Sequence, residues 1–324
     1  MNTPTAASHH RLQHFPVAFF SSVMGLAGLA MALQQGESIL GLPRGGGHAV
    51  TVASLVVFAL LAIIYILKTI RFPEAVAQEW RHPVKMSFGA TITVSLLLLG
   101  GATLGFWPKL SYALWLAGAA LHLLVTLYVL NAWIHKPGFE ITHINPAWFI
   151  PVVGNIVAPI AGVVHAGPET GWFFFSIGLV FWLVLFTIIV YRMIFHQPMP
   201  ERLLPTFFIL LAPPAAGFIA YLKLSGALDS FGRVLFHTAA FIAMLLLLQV
   251  PRLWRLKFFL SWWAYSFPLA ALTIATQLMF HATNVGFFRT ASYLLLILLC
   301  GVIALLLALT ARAIARNEIC TPEQ

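Results

Sequence analysis

The side chains that could carry acid–base or metal chemistry are few and widely separated in this chain. Its 324 residues include nine acidic residues, twelve histidines and two cysteines. Every acidic residue lies outside the long uncharged runs of the sequence. A Ser-His-Asp set therefore cannot be assembled within those runs, and Cys300 and Cys320 are too few for a disulfide framework or a metal site. We expect no enzymatic activity, no cofactor and no bound metal.

Histidine is the remaining candidate for proton transfer. His122 and His237 lie well inside uncharged runs, and no two histidines of these runs have the i, i+4 spacing of a zinc-binding helix. Each could serve as a proton-coupling residue or as a neutral, hydrogen-bonded packing residue. The sequence leaves both interpretations open.

Ten stretches without Asp, Glu, Lys or Arg predict the elements that position these residues. A helix of roughly 20 residues crosses the hydrocarbon core of a membrane and satisfies its own backbone hydrogen bonds. Only 8% of the residues are charged and 60% are hydrophobic, which excludes a soluble domain. We therefore predict an all-α integral membrane protein with ten transmembrane helices. In chain order, these predicted spans 1 to 10 lie within residues 12–36, 45–67, 86–108, 110–135, 141–168, 170–191, 203–222, 234–251, 258–288 and 290–311.

The distribution of Lys and Arg predicts the orientation in the membrane. Thirteen of the eighteen basic residues lie in the two tails and in the connections that follow spans 2, 4, 6 and 8. Because basic residues remain cytoplasmic, both termini should lie inside. We predict a cytoplasmic tail at 1–14, a channel domain at 15–316 and a second cytoplasmic tail at 317–324. The net charge of +9 then reflects topology and contact with membrane lipids, and we expect no binding of nucleic acid.

Prolines divide the predicted spans into two classes. Spans 1, 3, 5 and 7 begin beside Pro16, Pro83, Pro146 and Pro205. The odd spans also contain interior prolines, each of which removes a backbone hydrogen bond and bends a helix: Pro151, Pro159, Pro213, Pro214 and Pro268. Bent helices are tolerated where the backbone faces a water-filled path, although helix packing is an alternative explanation. We predict five helical hairpins around a central pore, with the odd spans inside, the even spans outside, and pore kinks at Pro159, Pro213, Pro214 and Pro268.

The predicted pore favours anions over cations. It has no acidic residue near the middle of the membrane, where cation pathways and proton pumps usually carry one. A hydrophobic pore with basic residues at its mouths concentrates anions instead. Ser87 and Asn155 are candidate polar residues of the pore lining. Phe267 directly precedes Pro268, and a kink at this proline could hold the ring of Phe267 in a defined direction in the pore. The alternative is that Phe267 is an aromatic packing residue.

Five strings of the sequence resemble the tellurite-resistance/dicarboxylate transporter family. This family includes TehA-type bacterial anion channels, plant slow anion channels, and fungal malate and sulfite transporters. The strings are FPVAFFSSVMGL at 15–26, HPVKMSF at 82–88, NPAWFIPVVGN at 145–155, LAPP at 211–214 and WWAYSFP at 262–268. They fall in all five predicted hairpins, so the resemblance extends over essentially the whole chain.

The resemblance implies a homotrimer in the bacterial cytoplasmic membrane, with one pore in each protomer. It further implies that Phe267 blocks the pore and that Ser21 faces it from span 1, at a position where a glycine is expected. We therefore expect passive passage of small monovalent anions such as chloride or nitrate, gated by Phe267. The alternative is an exporter of C4-dicarboxylates, sulfite or tellurite-related oxyanions, coupled to protons through His122 or His237.

Overall fold

The computed structural model describes residues 11–253 and 255–321. Residues 1–10 of the predicted N-terminal tail and 322–324 of the predicted C-terminal tail lie outside this part of the chain. The described residues form α-helices and 3-10 helices and no strand. Among them, eight helical segments are long and apolar enough to cross a membrane, which confirms the prediction of an all-helical membrane protein. They are Val17–Ile39, Gly46–Arg71, Lys85–Thr103, Pro108–His135, Pro159–Phe195, Glu201–Ser225, Ser230–Leu247 and Gly286–Ala315.

Spans 5, 6 and 9 account for the difference between the ten predicted spans and the eight segments that are long and apolar enough to cross a membrane. Gly167 has φ 78° and ψ 172°, which interrupts the segment Pro159–Phe195. This positive φ favours glycine and separates the end of span 5 from span 6. Span 5 itself begins earlier, in the short apolar segment Pro146–Val157. Span 9 is the helix Ser266–Thr283, preceded by the 3-10 helix Leu260–Tyr265. The arrangement of ten spans as five hairpins stays a prediction.

The spans fall into a buried class and an exposed class. In spans 1, 3 and 7, 72%, 83% and 78% of the most apolar 18-residue stretch is buried inside the protein. In spans 2, 4, 8 and 10 this share is 17% to 33%. The exposed spans present large apolar side chains outward, among them Leu60, Leu124, Phe241 and Ile297. Such a surface requires lipid or another apolar partner. Spans 2, 4, 8 and 10 therefore form an outer layer around spans 1, 3 and 7.

Four of the odd spans change helix type along their length. Spans 1, 7 and 9 begin as the 3-10 helices Val17–Phe19, Glu201–Leu211 and Leu260–Tyr265 and continue as α-helix. Span 5 alternates between short 3-10 and α segments before its last α-helix begins at Pro159.

The prolines of the predicted kinks lie at this change of helix type. The four prolines assigned to kinks all lie in the first turn of an α segment: Pro159, Pro213, Pro214 and Pro268. A proline is tolerated there because the backbone N–H that it lacks has no helical partner in the first turn. The irregularity at these prolines is therefore a transition from 3-10 to α geometry, and their role as pore kinks stays a prediction.

Two basic residues counted as membrane-flanking are buried at the ends of helices. Lys68, at the end of span 2, is 1% exposed and lies 2.5 Å from Glu79 Oε1. Its Nζ also donates to the carbonyl of Phe15 at 2.7 Å. Glu79 belongs to a short helix, Pro73–Arg81, in a stretch predicted only as a connection between spans 2 and 3. Arg192, at the end of span 6, donates through Nε to the carbonyl of Ile141 at 2.9 Å.

Candidate functional site

Two cavities lie among the odd spans, and Phe267 lines both of them. The upper cavity is lined by Met24, Val94, Phe149, Ile150, Val153, Gly154, Ile156, Val157, Ile209, Ala212, Pro213, Ala216 and Phe267. The lower cavity lies toward the N-terminal ends of spans 1, 3 and 9 and is lined by Ala18, Ser21, Met24, Phe88, Ile150, Ile209, Leu260, Ser261, Trp263, Ala264, Phe267 and Pro268. Four residues border both cavities: Met24, Ile150, Ile209 and Phe267. We call these four residues the constriction.

Each odd span contributes to the cavity walls. Span 1 supplies Met24, span 5 supplies Ile150, and span 7 supplies Ile209. Span 3 contributes Val94 to the upper cavity, and span 9 contributes Phe267 to both. Within the described part of the chain, no residue of an even span lines either cavity. The separation into an inner and an outer layer therefore extends to the walls of the cavities.

Two glycines of span 1 allow close approach to span 9 beside the constriction. A Cβ atom on Gly25 would overlap the hydroxyl of Ser266. A Cβ atom on Gly28 would lie 2.8 Å from Ala270 Cβ and 3.6 Å from Phe267 Cδ2. The absence of these side chains lets the two helices pack backbone to backbone, which fixes the backbone position from which the Phe267 ring projects.

The cavity walls offer almost no polar contact. Every side chain of the upper cavity is apolar, and the lower cavity adds the hydroxyls of Ser21 and Ser261 and the indole of Trp263, whose N–H donates to Thr310 Oγ1 at 3.0 Å. Ser21 donates its proton to the carbonyl of Ala18 at 2.6 Å, and Ser261 donates to the carbonyl of Arg202 at 2.6 Å. A hydroxyl has a single proton to donate. Neither serine therefore has a proton left for an ion in the cavity.

The other predicted lining residues lie elsewhere. Ser87 is buried and lines neither cavity. Asn155 also lines neither cavity. Its amide group points away and donates to Thr126 Oγ1 at 2.8 Å and to the carbonyl of Val152 at 2.7 Å. It thereby joins span 5 to span 4. Pro213 lines the upper cavity and Pro268 the lower one, whereas Pro159 and Pro214 line neither. The pore-lining role of Ser87 and Asn155 stays a prediction without support from the geometry.

Three of the four residues of the constriction carry no distinguishing signal in the sequence. Met24, Ile150 and Ile209 are ordinary apolar residues in apolar helices, and neither charge nor spacing distinguishes them from lipid-facing neighbours. Phe267 was found through its string and its proline. The two histidines differ in position: His122 is fully buried on span 4, whereas His237 is exposed on span 8.

These features define a class of protein: a helical membrane protein whose inner spans enclose two apolar cavities with four wall residues in common. The sequence model of the SLAC1 family, described as voltage-dependent anion channel, matches residues 14–311. The chain therefore belongs to the SLAC1 family.

Curated relatives come from plants, archaea and bacteria. The chain is 29% identical to the S-type anion channel SLAH2 of Arabidopsis thaliana over 272 residues, which cover 82% of this chain and 52% of that protein. It is 27% identical to the uncharacterized transporter MJ0762 of Methanocaldococcus jannaschii, with 83% and 86% covered. It is 24% identical to the tellurite resistance protein TehA homolog of Haemophilus influenzae, with 82% and 81% covered. The chain spans about half the length of SLAH2 and of two other plant relatives that it matches. The resemblance seen in the sequence is confirmed.

Proposed function

We propose that this chain is a passive channel for small monovalent anions such as chloride and nitrate. The two cavities are parts of one pore, and Phe267 closes it. The observation that carries this proposal is the constriction: Phe267 lies with Met24, Ile150 and Ile209 between cavities lined by odd spans alone. Membership of an anion channel family supports the choice of anions over other solutes.

An apolar pore of this kind acts on the hydration of the ion. Transfer of a bare ion into an apolar medium costs tens of kcal/mol, so an anion must keep part of its water shell. The ring of Phe267 occupies the space that this water needs, and conduction requires that the ring move aside. The walls offer no charged group and no free hydroxyl proton, so selectivity follows the cost of dehydration. Weakly hydrated nitrate then passes more readily than chloride.

Attraction of the ion comes from the ends of the pore. Thirteen basic residues lie on the side of the membrane assigned to the cytoplasm, against five on the other. A positive field concentrates anions at the mouth without binding them tightly, which suits a channel that must release each ion quickly.

The direct test replaces Phe267 and a matched phenylalanine of the outer layer. Phe287, in the outer helix Gly286–Ala315, is 72% exposed and touches neither cavity. Purified wild type, Phe267→Ala and Phe287→Ala would be compared in liposomes for chloride, nitrate and malate flux. We expect Phe267→Ala to raise chloride and nitrate flux by about tenfold or more, because water then fills the constriction. Phe287→Ala should behave as wild type.

Two results would contradict this function. Unchanged flux in Phe267→Ala would remove the gate from the mechanism. Saturable malate flux that responds to the proton gradient, and is lost when His122 or His237 is replaced by Ala, would indicate the coupled exporter instead.

The assembly and location belong to the same proposal. The protein is a homotrimer in the bacterial cytoplasmic membrane, with both termini inside and small anions and membrane lipids as its partners. The distribution of basic residues supports the orientation. Large exposed apolar side chains on the even spans support contact with lipid and with neighbouring protomers.

A further inference from the structure

Polar side chains of three even spans donate hydrogen bonds to backbone carbonyls near the start of an odd span. The donors lie on spans 2, 4 and 6, and the carbonyls precede or begin spans 1, 3 and 5. The bonds, 2.7 to 3.2 Å long, join Lys68 to Phe15, Tyr128 to Trp80, and Arg192 to Ile141 and Thr142. Even and odd spans are therefore connected at the ends that the basic residues assign to the cytoplasm.

Among these bonds, the one from Lys68 lies closest along the chain to a cavity wall. Ala18, three residues after Phe15, lines the lower cavity. The lysine side chain is 1% exposed, and its second partner is the carboxylate of Glu79. The hydroxyl of Tyr65 donates to the other oxygen of that carboxylate, Oε2, at 3.2 Å. Lys68, Glu79 and Tyr65 therefore form one buried cluster at the start of span 1.

The first turn of span 1 is held at both ends by side chains of neighbouring spans. It is the 3-10 helix Val17–Phe19. After it, Ser95 Oγ of span 3 donates to the carbonyl of Phe20 at 3.1 Å. Before it, Lys68 of span 2 donates to the buried carbonyl of Phe15. A buried carbonyl that loses its donor raises the free energy, so without Lys68 this turn is stabilised by moving toward water.

We propose that Lys68 is a positioning residue of the pore. By holding the carbonyl of Phe15 against span 2, it keeps the first turn of span 1 out of the ion path, and the lower cavity stays open beside Ala18. Glu79 supplies the opposite charge that a buried ammonium requires. This inference rests on the proposed channel function, because it treats the lower cavity as part of the pore.

The main variant removes the bond to Phe15 and both charges together. Lys68→Met combined with Glu79→Gln replaces the ion pair by neutral side chains of similar size, a change that buried pairs often tolerate. Lys68→Arg keeps a cation with several N–H donors and is the conservative variant. Glu74→Gln, at an exposed position of the same short helix as Glu79, controls for the loss of a carboxylate.

The first measurement is the reaction of a single cysteine in the cavity wall with a water-soluble thiol reagent. With Cys300 and Cys320 replaced by serine, Ala18→Cys reports on span 1 and Ala264→Cys reports on span 9, in the wall of the same cavity. In the double variant we expect the reaction at position 18 to accelerate by about fivefold or more, because the first turn moves toward water. The reaction at position 264 should be unchanged, as should both rates in Lys68→Arg and Glu74→Gln.

The second measurement is nitrate flux into liposomes in the Phe267→Ala background. We expect the double variant to lower this flux by about threefold or more, because the displaced turn narrows the lower cavity. Lys68→Arg and Glu74→Gln should retain the flux. A rise in flux in the double variant would refute the proposed role, since Lys68 would then restrict the pore.

The outcomes separate this inference from the channel proposal. Flux that is high in Phe267→Ala and unchanged in the double variant refutes the role of Lys68 and leaves the channel intact. Absence of flux in Phe267→Ala itself refutes the channel and, with it, any role of Lys68 in conduction. Equal acceleration at positions 18 and 264 also refutes the positioning role, because the whole protein has then loosened.

A single substitution keeps the inference testable if the double variant does not fold. Lys68→Gln retains an N–H donor and leaves the bond between Tyr65 and Glu79 in place. Its side chain is shorter and uncharged, so it cannot bond to Phe15 and Glu79 together. The same two measurements apply with the same expected directions. A reaction rate at position 18 equal to that in the parent protein would refute the positioning role.

Discussion

The inner and outer spans are built from similar apolar sequences but differ in backbone geometry. Outer spans such as Gly46–Arg71 and Gly286–Ala315 are long α-helices. Inner spans such as Glu201–Ser225 combine 3-10 and α segments, with prolines at the transition. A 3-10 helix rises about 2.0 Å per residue against about 1.5 Å in an α-helix. The comparison indicates that the cavity walls depend on irregular backbone, small residues and close helix approach rather than on special side chains.

The largest expected effect compares two glycines of the two layers. Gly25 on span 1 has no room for a side chain against Ser266, whereas nothing lies within 4 Å of the corresponding atom on Gly301 of span 10. Gly25→Ala should destabilise the protein by about 1–3 kcal/mol, because the tightly packed helices must separate. Gly301→Ala should be neutral or stabilise by up to about 1 kcal/mol, since alanine favours the helix. Thermal unfolding in detergent measures both.

Equal effects of the two glycine substitutions would contradict the division into layers. A destabilised Gly301→Ala would place span 10 in a tight interface that the single chain does not show. If Gly25→Ala left the stability unchanged, spans 1 and 9 would separate easily. The backbone position of Phe267 would then not be fixed by the packing of span 1 against span 9.

The parts of the fold that charge and hydropathy determine could be predicted from the sequence. Membrane spans follow from the absence of charged residues, and the difference between odd and even spans follows from the prolines. Helix type could not be predicted, because Pro213 suits both a kink and the first turn of a helix. Lys68 was assigned to a loop because its ion pair with Glu79 depends on the unpredicted helix Pro73–Arg81.

Of the candidate site, only Phe267 could be predicted, because it lies in a distinctive local sequence motif. Phe267 stands beside a proline in a distinctive aromatic string, which directed attention to it. Met24 and Ile150 border both cavities only because spans 1 and 5 meet at that depth, and no local pattern encodes this meeting. The bond from Lys68 to the carbonyl of Phe15 likewise depends on the packing of span 2 against the start of span 1.

A second prediction compares methionines of the two layers. Met24 belongs to the constriction, and Met244 on span 8 is 59% exposed. Both would be replaced by Ala in the Phe267→Ala background. Met24→Ala should raise nitrate flux further by about threefold, because a shorter side chain leaves room for the water around the ion. Met244→Ala should leave the flux as it was. A fall in flux for Met24→Ala would show that this side chain supports the open pore instead of narrowing it.

The smallest expected effect compares two neighbouring serines of span 1. Ser21 lines the lower cavity, whereas Ser22 is buried outside both cavities and donates to the carbonyl of Phe19 at 2.7 Å. Replacement of either serine by glycine lowers the stability of the helix by a similar amount, on the order of 1 kcal/mol. Ser22→Gly therefore controls for the greater backbone flexibility that glycine gives to span 1. Ser21→Gly widens the lower cavity beside the constriction without altering the constriction itself.

We therefore expect Ser21→Gly to increase nitrate flux only about twofold in the Phe267→Ala background, because the narrowest part of the path is unchanged. Ser22→Gly should have no effect. The measurement is the same liposome flux, with Tm in detergent recorded for both variants. If both variants raise the flux equally, the cause is a more flexible span 1, and the width of the pore at Ser21 does not limit conduction. If Ser21→Gly exceeds the effect of Met24→Ala, the limiting point lies below the constriction, in the lower cavity.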